Sequence, residues 1–433
     1  MVDHQRDIGT IPPATAETHK SLLGLLPIDD APICTESVPG GFEVTNLDFD
    51  VTENCNLGCL YCFKGEKFSE NMPLGVMKRT FDWLCMASGT AKSINCNFMG
   101  GEPTMRWKQI REFAIWARRR GKSVGKQVRF SMTTNLTLWT PDIRRFVDEY
   151  GFGILMSIDG CPEVQDAQRP AKNGKPASAT VEYWARSLLA TRPRSTARAT
   201  LHPNFVHTLS KSIKYLHSIG FSEIAVSPSE YAQWTEEDFT ELEAQLTSVV
   251  GYLEQHLLEG KDVNITGFKY YIGKLIHPRA VGDEGKIQWH KSPCGAGKGY
   301  MMVDYTGDIW PCHRFDGADE AAGAGGAYRL GNIYGETFNH ELRRSFLEFD
   351  HFQRHKDSCT TCPANPVCGG YCPAANLADT GSIFTPHDTY CRWTALLYSA
   401  AESLYWRVSR SGNEAAFKRL VESSANVDGT GEK

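Results

Sequence analysis

The stretch that most constrains this chain is Cys55-Asn56-Leu57-Gly58-Cys59-Leu60-Tyr61-Cys62. Its three cysteines follow directly on the alternating run Val44–Val51, which reads as a strand left through Glu53-Asn54. A loop at the C-terminal end of a strand is where α/β folds place their chemistry. Three thiolates on one short loop can hold three corners of an iron–sulfur cluster and leave one iron open to an outside ligand, because soft thiolates select iron–sulfur, zinc or Cu(I). Structural zinc is the competing reading, although such sites want four closed ligands, usually from CxxC pairs. Plain core cysteines are the third.

The surroundings favour metal. At 433 residues and 48.3 kDa the chain is long enough for two or three domains with sizeable cores. A net charge of −5 and a pI near 6.2 give no reason to expect nucleic acid or an anionic membrane as a partner. The N-terminus MVDHQRDIGTIPPATAETHK has no basic stretch leading into an apolar core, so no secretory signal is expected. No apolar run approaches the length of a membrane span. A cytoplasmic location follows as an expectation, and there 14 cysteines read as metal ligands rather than disulfides.

Residues 1–42 read as a polar, Pro- and Gly-rich arm with a helical hint at Thr18–Leu26. From 43 to 235 strands and helices alternate. Strands are expected over Val44–Val51, Ser93–Met99, Gln127–Thr133, Gly153–Ile158, Ala197–Leu201 and Ile224–Ser227. Helices are expected over Gly75–Ala87, Ile110–Arg120, Pro141–Tyr150, Thr180–Thr191 and Thr208–Gly220. Six such units predict an α/β fold, a parallel sheet with helices outside, and six rather than eight predicts a partial barrel. A long helix over Glu236–Leu258 opens a helical linker, 236–290. A cysteine-rich domain is expected over 291–393, with Ala318–Ala327 a loop. A C-terminal helix and tail fill 394–433, the helix over Thr394–Arg410 and a disordered end from Ser423 to Lys433.

Polar groups collect where the strands end. The second ends in Gly100-Gly101-Glu102-Pro103, where paired glycines let backbone approach a ligand and a carboxylate can accept from an ammonium group. The third ends in Thr133-Thr134-Asn135 and the fourth in Ser157-Ile158-Asp159-Gly160, with Arg169 further on. Each of these is also an ordinary cap or turn residue. Cysteines return as Cys294, Cys312, Cys359, Cys362, Cys368, Cys372 and Cys391. A zinc ribbon from Cys359/Cys362 and Cys368/Cys372 would leave Cys294, Cys312 and Cys391 unexplained. Cys85 and Cys96 read as core, Cys161 as a loop thiol, and Cys34 has no assignment.

The CxxxCxxC loop with Tyr61 before its last cysteine resembles the signature of radical S-adenosylmethionine (radical SAM) enzymes. The resemblance implies that Cys55, Cys59 and Cys62 bind a [4Fe-4S] cluster whose open iron chelates S-adenosylmethionine. Gly100, Gly101 and Glu102 match the family's GGE motif, which binds the methionyl amine. Asn135, Ser157 and Asp159 would contact the ribose and amino-acid parts, and Arg169 the carboxylate. Met99 stands where the family often has an aromatic.

The later cysteines resemble the SPASM extension of peptide-modifying members, which binds two auxiliary [4Fe-4S] clusters. By that resemblance Cys294, Cys312 and Cys372 hold the first, with its fourth site open or non-cysteine, and Cys359, Cys362, Cys368 and Cys391 the second. The implied fold is a partial (β/α)6 radical SAM barrel followed by the small SPASM domain. The implied partners are a ribosomally synthesised precursor peptide and an external electron donor such as flavodoxin or ferredoxin.

In sulfatase maturases of this family an acidic base follows the cysteine equivalent to Cys312. Here His313 stands there, the candidate catalytic residue, in a Cys-His-Arg-Phe stretch more similar to crosslinking peptide maturases. Crosslinking is therefore the expected activity. Formylglycine formation and a non-catalytic iron–sulfur or zinc protein are the alternatives.

Overall fold

The computed structural model describes residues 43–64, 69–230, 232–261, 264–276, 294–335, 338–348, 357–365 and 367–425. The N-terminal arm with Thr18–Leu26 and Cys34 lies outside the described residues.

Strands β1 (Asn46–Thr52), β2 (Ser93–Gly100), β3 (Gln127–Thr134), β4 (Gly153–Ser157), β5 (Thr196–Leu201) and β6 (Glu223–Pro228) form a parallel run in sequence order. Two further strands extend it parallel: β7 (Asn264–Ile265) beside β6, and β8 (Tyr300–Val303) beside β1. Antiparallel β9 (Asp308–Trp310) and β10 (Gly331–Asn332) finish that edge. The segment after residue 294 thus adds strands to the barrel sheet, which puts residues after β9 beside β1.

The helices are α1 (Leu74–Ala87), α2 (Trp107–Ser123), α3 (Pro141–Glu149), α4 (Pro162–Gln168), α5 (Ser178–Leu189), α6 (Leu209–Ser218), α7 (Glu236–Leu258) and α8 (Thr266–Ile276). After β8 and β9 come α9 (Phe315–Ala321), α10 (His340–Leu347), α11 (Pro373–Thr380), α12 (Asp388–Arg410) and α13 (Glu414–Ala425). Local chemistry sets their ends. Thr140 caps α3 ahead of Pro141, and Thr235 with Asp238 makes a capping box at α7.

Five sequence expectations shift. The helix expected over Thr208–Gly220 starts as a 3-10 turn at Pro203–Thr208, since Pro203 fixes its opening. The C-terminal helix begins at Asp388, capped by the His387 side chain, so Cys391 lies in its first turn. The Ala318–Ala327 loop begins inside α9, where Phe315 and Ala318 are buried. Ser423–Ala425 belong to α13, and 426–433 lie outside the described residues. The short helix α4, missed in the alternation, starts on Pro162.

Strand alternation divides the sheet into two faces. On β1, Leu47, Phe49 and Val51 point outward into a core with Phe81, Phe98 and Phe113. The inward face is polar. Asn95 Nδ2 donates to Ser131 Oγ (3.0 Å), Ser131 Oγ to Asn97 Oδ1 (2.9 Å), and Asn97 Nδ2 to Asp48 Oδ1 (2.7 Å). Such a chain satisfies buried polar groups strand by strand and leaves the barrel interior able to line a polar site. Among the described residues no helix is long and apolar enough to cross a membrane.

Candidate active site

A cavity of about 640 Å³ fills the barrel interior. It is lined at one end by Cys55, Cys59 and Cys62 and at the other by His313 and Arg314. Met99, Gly100, Gly101, Glu102, Asn135, Ser157 and Arg169 also line it.

The cysteine loop is held from three sides. The ladder of β1 with β2 slips at Asp50/Thr52, an irregularity that turns the chain into the loop. The β2 end then grips it: Gly101 N donates to Thr52 O (2.7 Å) and Glu102 N to Asn54 O (3.0 Å). A Cβ on Gly101 would lie 2.1 Å from Asn54 O, and one on Gly100 2.3 Å from Thr52 O, so both glycines are required by backbone packing. On the other flank, Gly58 N donates to Pro170 O (2.8 Å) and Leu60 N to Gln168 O (3.0 Å). Lys64 pairs with Asp50 and Glu53 behind the loop; burial opposes its charge, but the two carboxylates hold the ammonium well above its usual pKa.

Glu102 joins two strand ends. It accepts from Thr104 N (3.1 Å), Thr104 Oγ1 (2.5 Å), Thr134 Oγ1 (2.8 Å) and Asn135 N (2.8 Å). Burial raises its pKa despite these donors. Asn135 carries the brace onward, donating through Nδ2 to Asn56 Oδ1 (3.1 Å).

Asp159 is placed behind the wall rather than in it. Its buried carboxylate takes Arg169 Nε and Nη2 (2.9 Å each), Thr200 N (2.9 Å) and the Tyr61 hydroxyl. These partners tie Asp159 to Arg169, which reaches the cavity over the Tyr61 ring. Burial pushes the Cys59 thiol up to about 11.

At the far end, Asp48 Oδ2 accepts from Tyr300 Oη and lies 2.9 Å from His313 Nδ1, which Tyr300 Oη also meets. Arg314 pairs with Glu230 and reaches Cys372 Sγ at 4.0 Å. Sequence reasoning missed Asp48, Tyr300, Arg198, Glu230 and Arg314. One signal was available: Asp48 and Asp50 are acids at strand period within a parallel strand buried from Leu47 to Thr52, a rare placement.

Among the described residues, six of the later cysteines fall into two groups. Cys312, raised by burial, sits within electrostatic reach of Cys294 and Cys372. Cys368, also raised by burial, faces Cys362 and Cys359. A second cavity of about 340 Å³ is lined by Cys294, Cys372 and Cys368 together with Tyr270, Tyr271 and Thr394. Thiol donors gathered beside open space fit iron–sulfur groups better than a packed core. Cys85 and Cys96 lie in the core, and Cys161 precedes α4, buried and outside the main cavity.

Comparison with known proteins agrees. Residues 49–205 match the radical SAM superfamily and 294–363 the SPASM iron–sulfur cluster-binding domain. An uncharacterised Methanocaldococcus jannaschii protein is 30% identical over 31% of this chain, a match spanning 44% of that protein. The cysteine-type anaerobic sulfatase-maturating enzyme of Clostridium novyi is 23% identical, over 74% of this chain and 85% of that enzyme.

Two solved structures share the fold. The structure of anSMEcpe with bound AdoMet superposes with a TM-score of 0.67 at 20% identity, covering 87% of this chain and 98% of that one. Streptococcus suis SuiB bound to precursor peptide SuiA gives 0.53 at 16% identity, covering 81% and 76%. Radical SAM and SPASM domains imply [4Fe-4S] clusters, and the thiol groups described above suit them. The chain carries a radical SAM domain over residues 49–205 and a SPASM domain over 294–363, and over most of its length it is similar to the anaerobic sulfatase-maturating enzymes.

Proposed function

We propose that this enzyme is an oxidoreductase that takes a hydrogen from a side chain of a ribosomally made precursor peptide and closes an intrapeptide C–C, C–O or thioether crosslink. Cys55, Cys59 and Cys62 would hold the catalytic cluster, and Gly100, Gly101, Glu102, Asn135, Ser157 and Arg169 would wall the cofactor's place. Bound together, cluster and S-adenosylmethionine supply a 5′-deoxyadenosyl radical, the reductant coming from an external donor such as flavodoxin or ferredoxin. Glu102 would offer its carboxylate to the methionyl amine, and Arg169, fixed by Asp159, would offer its guanidinium to the carboxylate. Cys294, Cys312 and Cys372, and Cys359, Cys362, Cys368 and Cys391, would hold the auxiliary groups.

The observation that carries the reading is His313. It stands where sulfatase maturases place an acid, and it faces the cavity with Nδ1 held by Asp48 and Tyr300. A crosslink removes two hydrogens from the peptide: one would leave as an atom to the 5′-deoxyadenosyl radical, the other as a proton to a base in the wall, and the remaining electron would pass to an auxiliary cluster held by Cys294, Cys312 and Cys372. With Nδ1 occupied, His313 presents Nε2 for that task.

A second reading, formylglycine formation, draws on the names of the sulfatase-maturating relatives. One experiment separates them: mass spectrometry of short peptides encoded beside the gene, each co-expressed with the enzyme. Loss of two hydrogens with fragmentation suppressed between two residues supports the crosslink. The same loss at one Ser, with carbonyl reactivity, replaces it with formylglycine formation.

A further inference from the structure

The charged groups of the cavity wall are, with one exception, matched. Arg169 has Asp159, Arg314 has Glu230, Asp48 has Tyr300, His313 and Asn97, and Glu102 has its backbone and hydroxyl donors. The exception is Arg198. It stands on β5 beside Ser157 of β4, its side chain lines the cavity, and its hydrogen bond is to a neighbouring carbonyl, Ala199 O at 3.0 Å. Among the described residues no carboxylate pairs with it. Instead it faces the like charge of Arg314 and the hydroxyls of Tyr371, Tyr390 and Tyr61. Burial and then Arg314 lower its pKa from a value so high that it stays a cation.

A half-buried guanidinium in a cavity wall without a counter-charge is unfavourable, and the fork is shaped to take a carboxylate on two parallel N–H bonds. Its position says which carboxylate. Arg169 borders Cys59 and Tyr61 of the cysteine loop, whereas Arg198 borders Arg314 and two tyrosines of the C-terminal segment as well as Tyr61. Because the reading above already gives Arg169 to the methionine carboxylate, Arg198, set between Ser157 and the C-terminal segment, is left for a carboxylate of the substrate. We propose that Arg198 is a specificity residue that binds a carboxylate of the substrate, from an Asp or Glu side chain or a free C-terminus. This rests on the reading that the cavity takes a peptide.

The test uses the anaerobic, unreduced holoenzyme with saturating S-adenosylmethionine, and N-acetylglutamate amide against N-acetylglutamine amide as probes. It needs no identified peptide, so its failure is distinct from failure to find a crosslinked product. The expected result is a rise in melting temperature with the carboxylate probe and none with the amide probe, abolished in Arg198→Met. Arg198→Lys keeps the charge without the fork and binds the carboxylate probe roughly tenfold more weakly. Without probe, Arg198→Met melts higher than wild type, because an unmatched, half-buried charge is gone; a purely structural arginine would melt lower on replacement. The proposal is overturned by equal response to both probes, by a carboxylate shift that survives in Arg198→Met, or by no shift once S-adenosylmethionine saturates, which would assign the arginine to the methionine carboxylate.

Discussion

Asp48 Oδ2 lies 2.9 Å from His313 Nδ1 although 265 residues separate them in the chain. The contact exists because β8 pairs parallel with β1, Leu47 opposite Met301, which carries the residues after β9 over the barrel's inner face. An acid from the first strand thus serves the histidine that follows Cys312. Exchange of Asp48 for Asn leaves shape but removes the acceptor that fixes the imidazole tautomer. Peptide turnover is expected to fall about 10²-fold in Asp48→Asn, within the range for general acid–base groups. His313→Asp is expected to retain more turnover than His313→Ala. Wild-type turnover in Asp48→Asn would contradict the pairing's role.

The Arg169–Asp159 pair is a bidentate bridge with side chains 9% and 0% exposed. Arg169→Lys loses the fork, so the affinity for S-adenosylmethionine, read by equilibrium binding, is expected to drop roughly tenfold. Asp159→Ala strands a buried guanidinium, and chemical denaturation is expected to show a loss of about 3–5 kcal/mol. Equal stability of that variant and wild type would count against the buried pair.

Gly101 sits where a Cβ would meet the Asn54 carbonyl oxygen at 2.1 Å, a backbone atom that cannot swing aside. Gly101→Ala is expected to push the cysteine loop away and cost about 1–3 kcal/mol or more by overpacking. Iron content after anaerobic reconstitution, read beside the melting temperature, should fall. Gly125→Ala, at a position with nothing within 4 Å of the added Cβ but φ +74°, separates backbone strain from the clash.

Much of the barrel was legible because its strands alternate and its helices repeat an apolar face, buried in α1 at Val76, Met77, Thr80, Phe81 and Leu84. Glu236–Leu258 was readable to its ends from the Thr235 box and the apolar repeat. The two ends of the sheet were not, since β7 at one end and β10 at the other are each two residues long and β9 three, too short for a period to register. The site divides the same way. Cysteine spacing is a local signal, so the loop and both later groups stood out. Asp48, Tyr300 and Arg198 matter through strand pairing across long separations, which no local pattern encodes. Asp159 was read as a cofactor contact because its turn matched a motif, but its carboxylate is consumed by Arg169, Tyr61 and Thr200.

Asp304, in the turn between β8 and β9, accepts from Asp308 N (3.1 Å) and Trp310 Nε1 (2.9 Å). Burial, then the like charge of Asp308, pushes its pKa up to about 7. The folded chain therefore holds a proton there that the unfolded chain, with a carboxyl near its usual ~3.9, releases earlier. Stability from this group is full below about pH 4 and is lost as pH rises through about 7. The melting temperature of wild type minus that of Asp304→Asn is expected to fall between about pH 5 and about pH 8. A flat or rising difference would contradict the assignment.

The central claim is that Cys55, Cys59 and Cys62 assemble the centre that cleaves S-adenosylmethionine at the floor of this cavity. The most direct measurement is 5′-deoxyadenosine formed by anaerobically reconstituted, reduced enzyme, compared with the Cys55→Ala/Cys59→Ala/Cys62→Ala variant bearing its other cysteines. The account predicts 5′-deoxyadenosine from wild type and none from the variant, with iron lost from the variant only in part because the later cysteines still hold their share. Wild-type enzyme loaded with iron that releases no 5′-deoxyadenosine, or a variant that releases as much, would contradict it.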